Sequence, residues 1–458
     1  NDMSDYEIQR QRHVEQFQAL QPEYIGRTTW PAKRLRDERE QRLRALVRAA
    51  KERSPWHRDR LAHIDPDRVT EADLHKIPFM TKTDLMENFD GIVTDRNLSR
   101  ALCERHLSDL KGDAYLLGEY HVVASGGSSG QRGVFVYRWD AWAIFYTSIV
   151  RFQQRDWVSD PTLADVPRVT GVVGASKATH ISAAVGQTFS TPRSPRLVFP
   201  VSEPLERIVA GLNQLQPTVL MGYSSFLPLL AQEAQAGRLR IAPRRVVAIS
   251  EPLLPETRTA VQAAWDVPIG NQYGMSEGVM AGFCGHGMHL PDDLCLFEPV
   301  DADGNPVSPG YPSQRVYITN LYNQVLPLIR FEVTDEVTLL EGTCACGSGF
   351  RRIADPQGRL DDTFVYPGGA SIHPHVFRSA LGRDARITEY QVQQTQRGGE
   401  IRVVAHGSID AEAIGREVEG ALKALGLAQP EVHISLVSHL DREASGKLKR
   451  FIPLPPPR

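Results

Sequence analysis

Short β-branched segments alternate with amphipathic helical segments through the middle of this 458-residue sequence. The pattern predicts strands at Arg196–Val201, Thr218–Gly222 and Arg245–Ile249, and helices at Pro204–Leu215, Phe226–Leu239 and Pro255–Trp265. Such alternation is typical of βαβ units, and therefore of a parallel sheet covered by helices on both faces. Ligands of these sheets bind beyond the carboxyl ends of the strands, so functional residues are expected in the loops there.

The last hundred residues have a different residue pattern, and a polar segment at Gly358–Asp362 precedes them. A hairpin around Gly398-Gly399, a helix at Ala411–Leu425 and a strand at Val432–Val437 predict a small α+β unit. We therefore expect an α/β protein with two domains. Residues 1–357 form a large N-terminal lobe with mostly parallel βαβ sheets, and residues 358–458 form a small, mobile α+β C-terminal domain.

Composition and charge exclude several classes of protein. The 52 basic and 55 acidic residues give a formal charge of −3, which offers no electrostatic basis for general nucleic-acid binding. No apolar run approaches the ~18 residues that span a bilayer, and no charged-then-apolar leader opens the sequence, so we expect a cytoplasmic protein without a membrane partner. Five cysteines, an odd number, argue against a disulfide framework.

A segment rich in glycine and serine follows residue 124 and offers backbone N–H groups and hydroxyls to an anion. Its candidate phosphate-binding residues are Ser125, Gly126, Gly127, Ser128, Ser129 and Gly130. A flexible surface loop is the alternative interpretation. No Gly-Lys-Ser/Thr closes the segment, so it is not a Walker A loop.

Three further segments carry groups suited to nucleotide chemistry. The loop Gln272–Gly278 holds an aromatic ring, a hydroxyl and a carboxylate, but a capped turn would use the same residues. Asp335, after the apolar segment that ends at Val333, can bind a ribose diol or simply close a turn. Lys447, in Ser445–Arg450, can place a compact positive charge on a substrate oxygen or belong to a solvated basic tail.

These four segments, in this order and with the polar segment at Gly358–Asp362, resemble the acyl-adenylate-forming (AMP-binding) ligase superfamily. The phenylacetate–coenzyme A-ligase-like branch is the most similar. The resemblance extends over most of the chain and includes Ser54–Arg58, Ile77–Leu85, Glu251-Pro252, Leu326–Arg330 and Gly368–Pro374.

The resemblance implies roles for individual residues. Ser125–Gly130 would hold the ATP phosphates, Glu277 would support Mg²⁺, and Asp335 would bind the ribose hydroxyls. The adenine would lie against Ser250, Glu251, Pro252 and Tyr273, the last in a loop with Gly274 and Ser276. Arg359 would reach the ribose or phosphate, Asp361 would be the hinge, and Lys447 would stabilise the pentavalent phosphorus.

The sequence departs from the family pattern in two places. Gln131-Arg132-Gly133 stands where Pro and then Lys or Thr usually end the phosphate loop, so either Arg132 supplies the cation or ATP binds differently. Lys177 and His180 fall where the substrate pocket is usually Gly-rich and apolar. They either bind a polar or anionic substrate group or lie at the surface, which puts phenylacetate itself in doubt.

Related enzymes carry a metal site built from Cys and His after the Tyr-Gly-x-Ser-Glu loop and a later Cys-x-Cys. The resemblance therefore implies a structural Zn²⁺ site formed by Cys284, His289, Cys344 and Cys346. His286 and Cys295 are competing ligands, and reduced thiols without a metal are the alternative.

The function implied by the resemblance is a two-step ligase. A small aryl or polar carboxylic acid and ATP give an acyl-AMP, and the acyl group passes to coenzyme A. Alternative acceptors are an amine, a carrier protein, or nitrite plus an aryl amine giving a diazo product. A nucleotide- and zinc-binding accessory protein without catalysis is the contrasting hypothesis. The oligomeric state is open, and a homodimer is compatible with the sequence.

Overall fold

The structure of the chain, a computed structural model, describes residues 3–125, 133–175, 180–201, 203–356, 363–372, 374–382, 384, 386–442 and 448–455. In chain order the helices are α1 (Asp5–Arg27), α2 (Ala32–Arg53), α3 (Pro55–Arg60), α4 (Lys82–Glu87), α5 (Phe89–Ile92), α6 (Arg100–Asp109), α7 (Trp139–Ser159), α8 (Ile181–Phe189), α9 (Leu205–Leu215), α10 (Leu227–Gln235), α11 (Pro255–Trp265), α12 (His375–Leu381) and α13 (Ala411–Ala424).

The strands are β1 (Tyr120–Ala124), β2 (Val134–Arg138), β3 (Thr170–Gly174), β4 (Arg196–Pro200), β5 (Val219–Tyr223), β6 (Arg245–Ile249), β7 (Ile269–Gln272), β8 (Gly282–Phe283), β9 (Met288–His289), β10 (Cys295–Val300), β11 (Arg315–Asn320), β12 (Phe331–Val333), β13 (Arg352–Ile353), β14 (Phe364–Val365), β15 (Ser371–Ile372), β16 (Ile387–Gln394), β17 (Gly398–Ala405), β18 (Glu431–Leu436) and β19 (Phe451–Ile452).

The chain divides into two compact units, each assembled from separated stretches of sequence. The first unit comprises Asn1–Arg168, Ser176–Val198 and Gly270–Asp355. The second unit comprises Val169–Ala175, Phe199–Ile269 and Pro356–Arg458. The expected boundary between residues 357 and 358, and the hinge at Asp361, lie at 357–362, outside the described residues, and both stay predictions.

In the first unit, β1 and β2 form an antiparallel hairpin, and β10, β11 and β12 form an antiparallel sheet. Strand β9 pairs with both β8 and β13, all antiparallel. A large apolar core includes the fully buried Trp142 and Phe145 of α7. These two aromatic side chains therefore belong to the core.

In the second unit, the predicted βαβ pattern is confirmed. Strands β3, β5 and β6 pair in parallel, with Val219 opposite both Thr170 and Arg245. Helix α9 buries Ile208, Val209 and Leu212 on one face, as the period of 3.6 predicts. The α/β fold class expected from the sequence is thus observed.

The C-terminal part of the second unit has the predicted α+β composition. Its four-stranded sheet has the order β18-β17-β16-β19, in which β16 and β17 are antiparallel and the outer pairs are parallel. Helices α12 and α13 pack beside it over a core that contains Phe377, Val418 and Leu422. This small sheet has its own hydrophobic core, as an independently folding element requires.

Several elements have bounds that differ from the predicted ones, most of them by one or two residues. Helix α10 ends at Gln235 instead of Leu239, because Gly237 adopts φ +75° and its N–H bonds back to Ala234. The segment Leu326–Arg330, which the resemblance implies to be a strand, is irregular, and β12 begins only at Phe331.

Candidate active site

Ser125 closes the base of the glycine-rich segment. Strands β1 and β2 are antiparallel and pair Ala124 with Val134. The Ser125 N–H donates to the Gly133 carbonyl, and the Gly133 N–H donates to Ser125 Oγ, both at 2.9 Å. The remaining candidates in the segment, Gly126–Arg132, lie outside the described residues.

The loop after β7 is a tight turn that requires glycine at two positions. A Cβ on Gly274 would lie 1.8 Å from the sulfur of Met280. Gly278 adopts φ +101°, and a Cβ there would lie 2.2 Å from Asn320 Nδ2. Larger residues would force this loop to open. The glycines therefore shape the turn that presents Tyr273, Ser276 and Glu277, all of which are buried.

Tyr273 and Asp335 come together within the first unit. The Tyr273 hydroxyl donates a hydrogen bond of 2.7 Å to Asp335 Oδ2. Both side chains are less than a tenth exposed, and Asp335 lies two residues after the end of β12. The sequence identifies Tyr273 and Asp335 as separate candidates, and the structure makes them direct hydrogen-bond partners. A carboxylate held in this way can accept hydrogen bonds from the two hydroxyls of a diol.

Three buried side chains hold the main chain around Glu277, and the sequence gives no signal for any of them. The Tyr137 hydroxyl donates to the Ser276 carbonyl. Asn320 Nδ2 donates to the Glu277 carbonyl at 3.0 Å, and the Tyr322 hydroxyl donates to the Gly278 carbonyl at 2.6 Å. Burial raises the pKa of both tyrosines well above the usual value, so both remain proton donors.

Ser250, Glu251 and Pro252 lie in the second unit, at the carboxyl end of β6. Ser250 adopts φ +63°, a conformation that costs a non-glycine residue energy and is common at functional loops. The Glu251 carboxylate accepts two backbone N–H groups, from Ser225 at 2.8 Å and from Leu448 at 2.9 Å. The second bond reaches the residue directly after Lys447.

Several predicted residues lie outside the described residues. These are Lys177, Arg359, Asp361 and Lys447. His180 is described: it is the N-terminal cap residue of α8, and its carbonyl accepts the Ala184 N–H.

Cys284, His289, Cys344 and Cys346 form a compact group in the first unit. Their ligand atoms all lie within 4.8 Å of one another. His289 Nε2 lies 3.1 Å from Cys284 Sγ and 3.3 Å from Cys346 Sγ, and the Sγ atoms of Cys284 and Cys344 are 3.6 Å apart. Around a tetrahedral zinc with bonds of about 2.3 Å, sulfur ligands are separated by about 3.8 Å, so this donor set fits the metal.

The surroundings of His289 fix the ring nitrogen that faces the thiols. His289 Nδ1 bonds to the Phe350 carbonyl at 3.0 Å, which leaves Nε2 for the sulfur atoms. The Phe152 ring stacks on the imidazole at 4.7 Å. Burial lowers the pKa of His289 to about 4, so the ring is neutral and able to bind a metal at neutral pH.

The thiols differ in their electrostatic surroundings. Burial raises the pKa of Cys284 above its usual value. Burial also opposes ionisation of Cys346, but a hydrogen bond from Arg155 and one from the Ser348 backbone outweigh it and lower the pKa of that thiol. The two competing ligands stand apart: in the described part of the chain, neither the exposed His286 nor the buried Cys295 belongs to the group.

Comparison with known proteins supports one family. The chain is 27% identical over 373 residues to the phenylacetate–coenzyme A ligase of Thermus thermophilus, covering 77% of this chain and 76% of the relative. It is 24% identical over 446 residues to the enzyme of the same name from Pseudomonas putida, covering 91% and 92%. The sequence matches no protein-family model.

A solved structure of 2-hydroxyisobutyryl-CoA ligase in the postadenylation state shares the fold. The TM-score is 0.73 at 19% identity, with 93% of this chain and 91% of that chain covered. The chain thus has the fold of this ligase, and its sequence is similar to those of phenylacetate–coenzyme A ligases. In the described residues, no helix is both long enough and apolar enough to cross a bilayer.

Proposed function

We propose that the protein activates a carboxylic acid with ATP and transfers the acyl group to coenzyme A. A carboxylate oxygen attacks the α-phosphorus of ATP, and pyrophosphate leaves. The thiol sulfur then attacks the acyl carbon, loses its proton, and displaces AMP. The observation that carries the proposal is the pairing of Tyr273 with Asp335, which joins two motifs of the family at one buried position.

We assign nucleotide-binding roles to individual residues. Asp335 binds the ribose hydroxyls, and Tyr273 orients that carboxylate through the bond between them. Ser125–Gly130 and Arg132 bind the phosphates; of these, Ser125 is described, and its Oγ accepts the Gly133 N–H. In the second unit Ser250–Pro252 contact the adenine, and Arg359 reaches the ribose or phosphate.

The charge that develops at phosphorus needs cations. Mg²⁺, when bound with the nucleotide, neutralises phosphate oxygens, and we assign its support to Glu277. The three hydrogen bonds to carbonyls at 276–278 hold this carboxylate's backbone rigidly. Lys447 supplies the second positive charge in the first step, and rotation about Asp361 removes it for the second step.

We assign a structural Zn²⁺ to Cys284, His289, Cys344 and Cys346. All four coordination positions are protein ligands, so this site is closed and takes no part in the reaction. Its role is to join the β8–β9 hairpin to the segment that carries Cys344 and Cys346, which lie about 60 residues further along the chain.

We propose a small aryl or polar acid as the substrate, with Lys177 and His180 as residues that contact its polar group. The relatives named as phenylacetate–coenzyme A ligases support an aromatic acid. The two polar residues favour an acid that carries a further hydrogen-bonding or anionic group.

The test is a panel of carboxylic acids in substrate-dependent pyrophosphate–ATP exchange. Active acids are then assayed for AMP release with coenzyme A, with an amine, and with nitrite plus an aryl amine, each present or absent. We expect exchange with at least one aryl acid and AMP release that depends on coenzyme A. If AMP release depends only on another acceptor, that acceptor takes the place of coenzyme A in the second step. ATP binding without exchange for any acid would contradict the proposal.

A further inference from the structure

Each of the three cysteine sulfurs in the group of four accepts a hydrogen bond from the backbone N–H two residues further along the chain. The donor–acceptor pairs are His286 to Cys284, Cys346 to Cys344, and Ser348 to Cys346. For the second pair, the N–Sγ distance is 3.5 Å. Sulfur atoms that accept hydrogen bonds in this way are suited to the thiolate form, which is the form that binds zinc.

Cys346 has a second donor, the side chain of Arg155 on α7. The guanidinium is also held by neighbours that are not zinc ligands. Its Nε forms an ion pair with Asp156 at 2.9 Å, and its Nη1 lies 3.4 Å from Thr28 Oγ1. The Arg155 side chain is only 15% exposed. Arg155 is therefore fixed beside the sulfur by contacts that do not depend on a metal.

Phe152 lies three residues earlier on α7, and therefore on the same side of the helix. Its ring stacks on the His289 imidazole with centres 4.7 Å apart and planes 3° from parallel. The guanidinium carbon of Arg155 lies 4.9 Å from the centre of the same ring. One face of α7 thus contacts the imidazole through Phe152 and a cysteine sulfur through Arg155.

The charge of the occupied site explains why a cation belongs there. Zinc bound by three thiolates and a neutral imidazole carries one net negative charge, because the thiolates outweigh the charge of the ion. Cys284, His289 and Cys344 are each less than a tenth exposed, and a charge in such surroundings is unfavourable unless it is paired. Arg155 supplies one positive charge. Its partner Asp156 is 31% exposed, so water screens that carboxylate more strongly.

Two other charged groups act on His289, and both are bound elsewhere. Arg352 donates to two backbone carbonyls, at 3.2 and 3.3 Å. Asp292 forms an ion pair of 2.9 Å with Arg351. Neither contact involves a sulfur atom. Arg155 is thus the charged side chain whose described contacts include one of the zinc ligands.

We propose that Arg155 is a positioning residue of the zinc site, which balances the net charge of the zinc–thiolate group and holds Cys346 for the metal. The inference rests on the structural Zn²⁺ proposed for this group. It goes further by assigning a role to a residue that binds a ligand sulfur rather than the metal itself. Partners of this kind tune both the affinity of a metal site and the electronic properties of its ligands.

The first test measures zinc affinity by competition with a chromogenic chelator, for Arg155→Met, Arg155→Lys and the control Arg138→Met. Arg138, directly before α7, is a matched control because it binds the carboxylates of Glu119 and Asp140. We expect Arg155→Met to bind zinc about ten- to a hundredfold more weakly than wild type. Arg155→Lys keeps the charge but not the planar fork, so its loss should be smaller. Arg138→Met should match wild type.

The second test replaces zinc with Co²⁺ and records the sulfur-to-cobalt charge-transfer absorption. In Arg155→Met this absorption should move to longer wavelength, because one sulfur loses a hydrogen bond that stabilises its electrons. Arg138→Met should give the wild-type spectrum. A smaller shift of the same sign is expected for Arg155→Lys, and this variant decides the question if Arg155→Met does not fold.

Unchanged zinc affinity and an unchanged cobalt spectrum in the Arg155 variants would overturn the inference. A lower melting temperature with the same affinity and spectrum would indicate only a packing contact, and would overturn it as well. A wild-type protein that binds neither metal would overturn the zinc assignment together with the inference. Pyrophosphate–ATP exchange by the same wild-type preparation tests the ligase activity separately, so the two failures are distinguishable.

Discussion

The Tyr273 hydroxyl donates a 2.7 Å hydrogen bond to Asp335 Oδ2 across 62 residues of sequence. If Asp335 binds the ribose, Asp335→Ala should raise KM for ATP about tenfold or more, because a charge-assisted bond is lost. Tyr273→Phe should raise it only about threefold, since the carboxylate remains. Tyr311→Phe, at a ring that is 67% exposed, is the control. Equal KM values in pyrophosphate–ATP exchange for Asp335→Ala and wild type would exclude the ribose contact.

Lys447→Ala should reduce kcat of pyrophosphate–ATP exchange on the order of 100-fold or more, because a cation at the pentavalent phosphorus is removed. Lys449→Ala is the matched control, because the Lys449 carbonyl that accepts from Gln391 Nε2 is kept in this variant. Undiminished exchange by the Lys447 variant would refute its role.

Ser125→Ala should raise KM for ATP about three- to tenfold. The Gly133 N–H loses its acceptor, so the contact between Ser125 and Gly133, directly beyond the last paired residues of β1 and β2, is weakened. The melting temperature should change little. Ser108→Ala, at an exposed serine, gives the comparison. A KM for ATP equal to that of wild type would show that the contact between Ser125 and Gly133 does not influence nucleotide binding.

Purified wild-type protein should contain one zinc ion per chain by elemental analysis. Cys284→Ser and His289→Ala should each lose most of it and melt at lower temperature, because metal binding contributes to folding. Cys295→Ala and His286→Ala should retain the metal, since neither residue belongs to the group of four. Loss of zinc in either control would reassign the ligands, and a zinc-free wild-type protein would favour reduced thiols.

A buried ion pair gives a pH-dependent prediction. Arg151 binds both oxygens of Asp293 at 2.7 and 2.8 Å. Burial opposes ionisation of Asp293, but the charge and hydrogen bonds of Arg151, with the charges of Arg27 and Arg42, outweigh burial and lower the pKa of the carboxyl. Asp293→Asn leaves a buried guanidinium partly unpaired and should destabilise the protein by about 3 kcal/mol.

The sign of the pH dependence follows from the lowered pKa. An unfolded aspartate titrates near pH ~3.9, so the stabilisation by Asp293 is complete above that value and is lost as pH falls through the native pKa. The difference in melting temperature between wild type and Asp293→Asn should be constant from pH 8 to 5 and should become smaller below about pH 4. Thermal melts of both proteins at several pH values would measure this difference. Asp37→Asn, which removes an exposed pair with Lys33, should have almost no effect.

Local sequence patterns were sufficient to predict where some of the helices and strands begin and end. Strand β6 and helix α11 have the predicted bounds, because a β-branched run and an N-terminal proline are local signals. The hairpin of β16 and β17 was also predicted, but its turn lies before Gly398. That glycine belongs to β17, where a Cβ would lie 2.0 Å from the Glu431 carbonyl, a contact that depends on β18.

The sequence by itself determined the kinds of elements, their order, and the motifs that carry a hydroxyl, a carboxylate or a thiol. Only the tertiary structure decided which of these groups meet. Tyr273 and Asp335 are 62 residues apart in sequence, and Cys284 and Cys344 are 60 residues apart, so both contacts depend on the tertiary fold. The attachment of Glu251 to Leu448 spans 197 residues, and no periodicity or propensity encodes a contact at such separation.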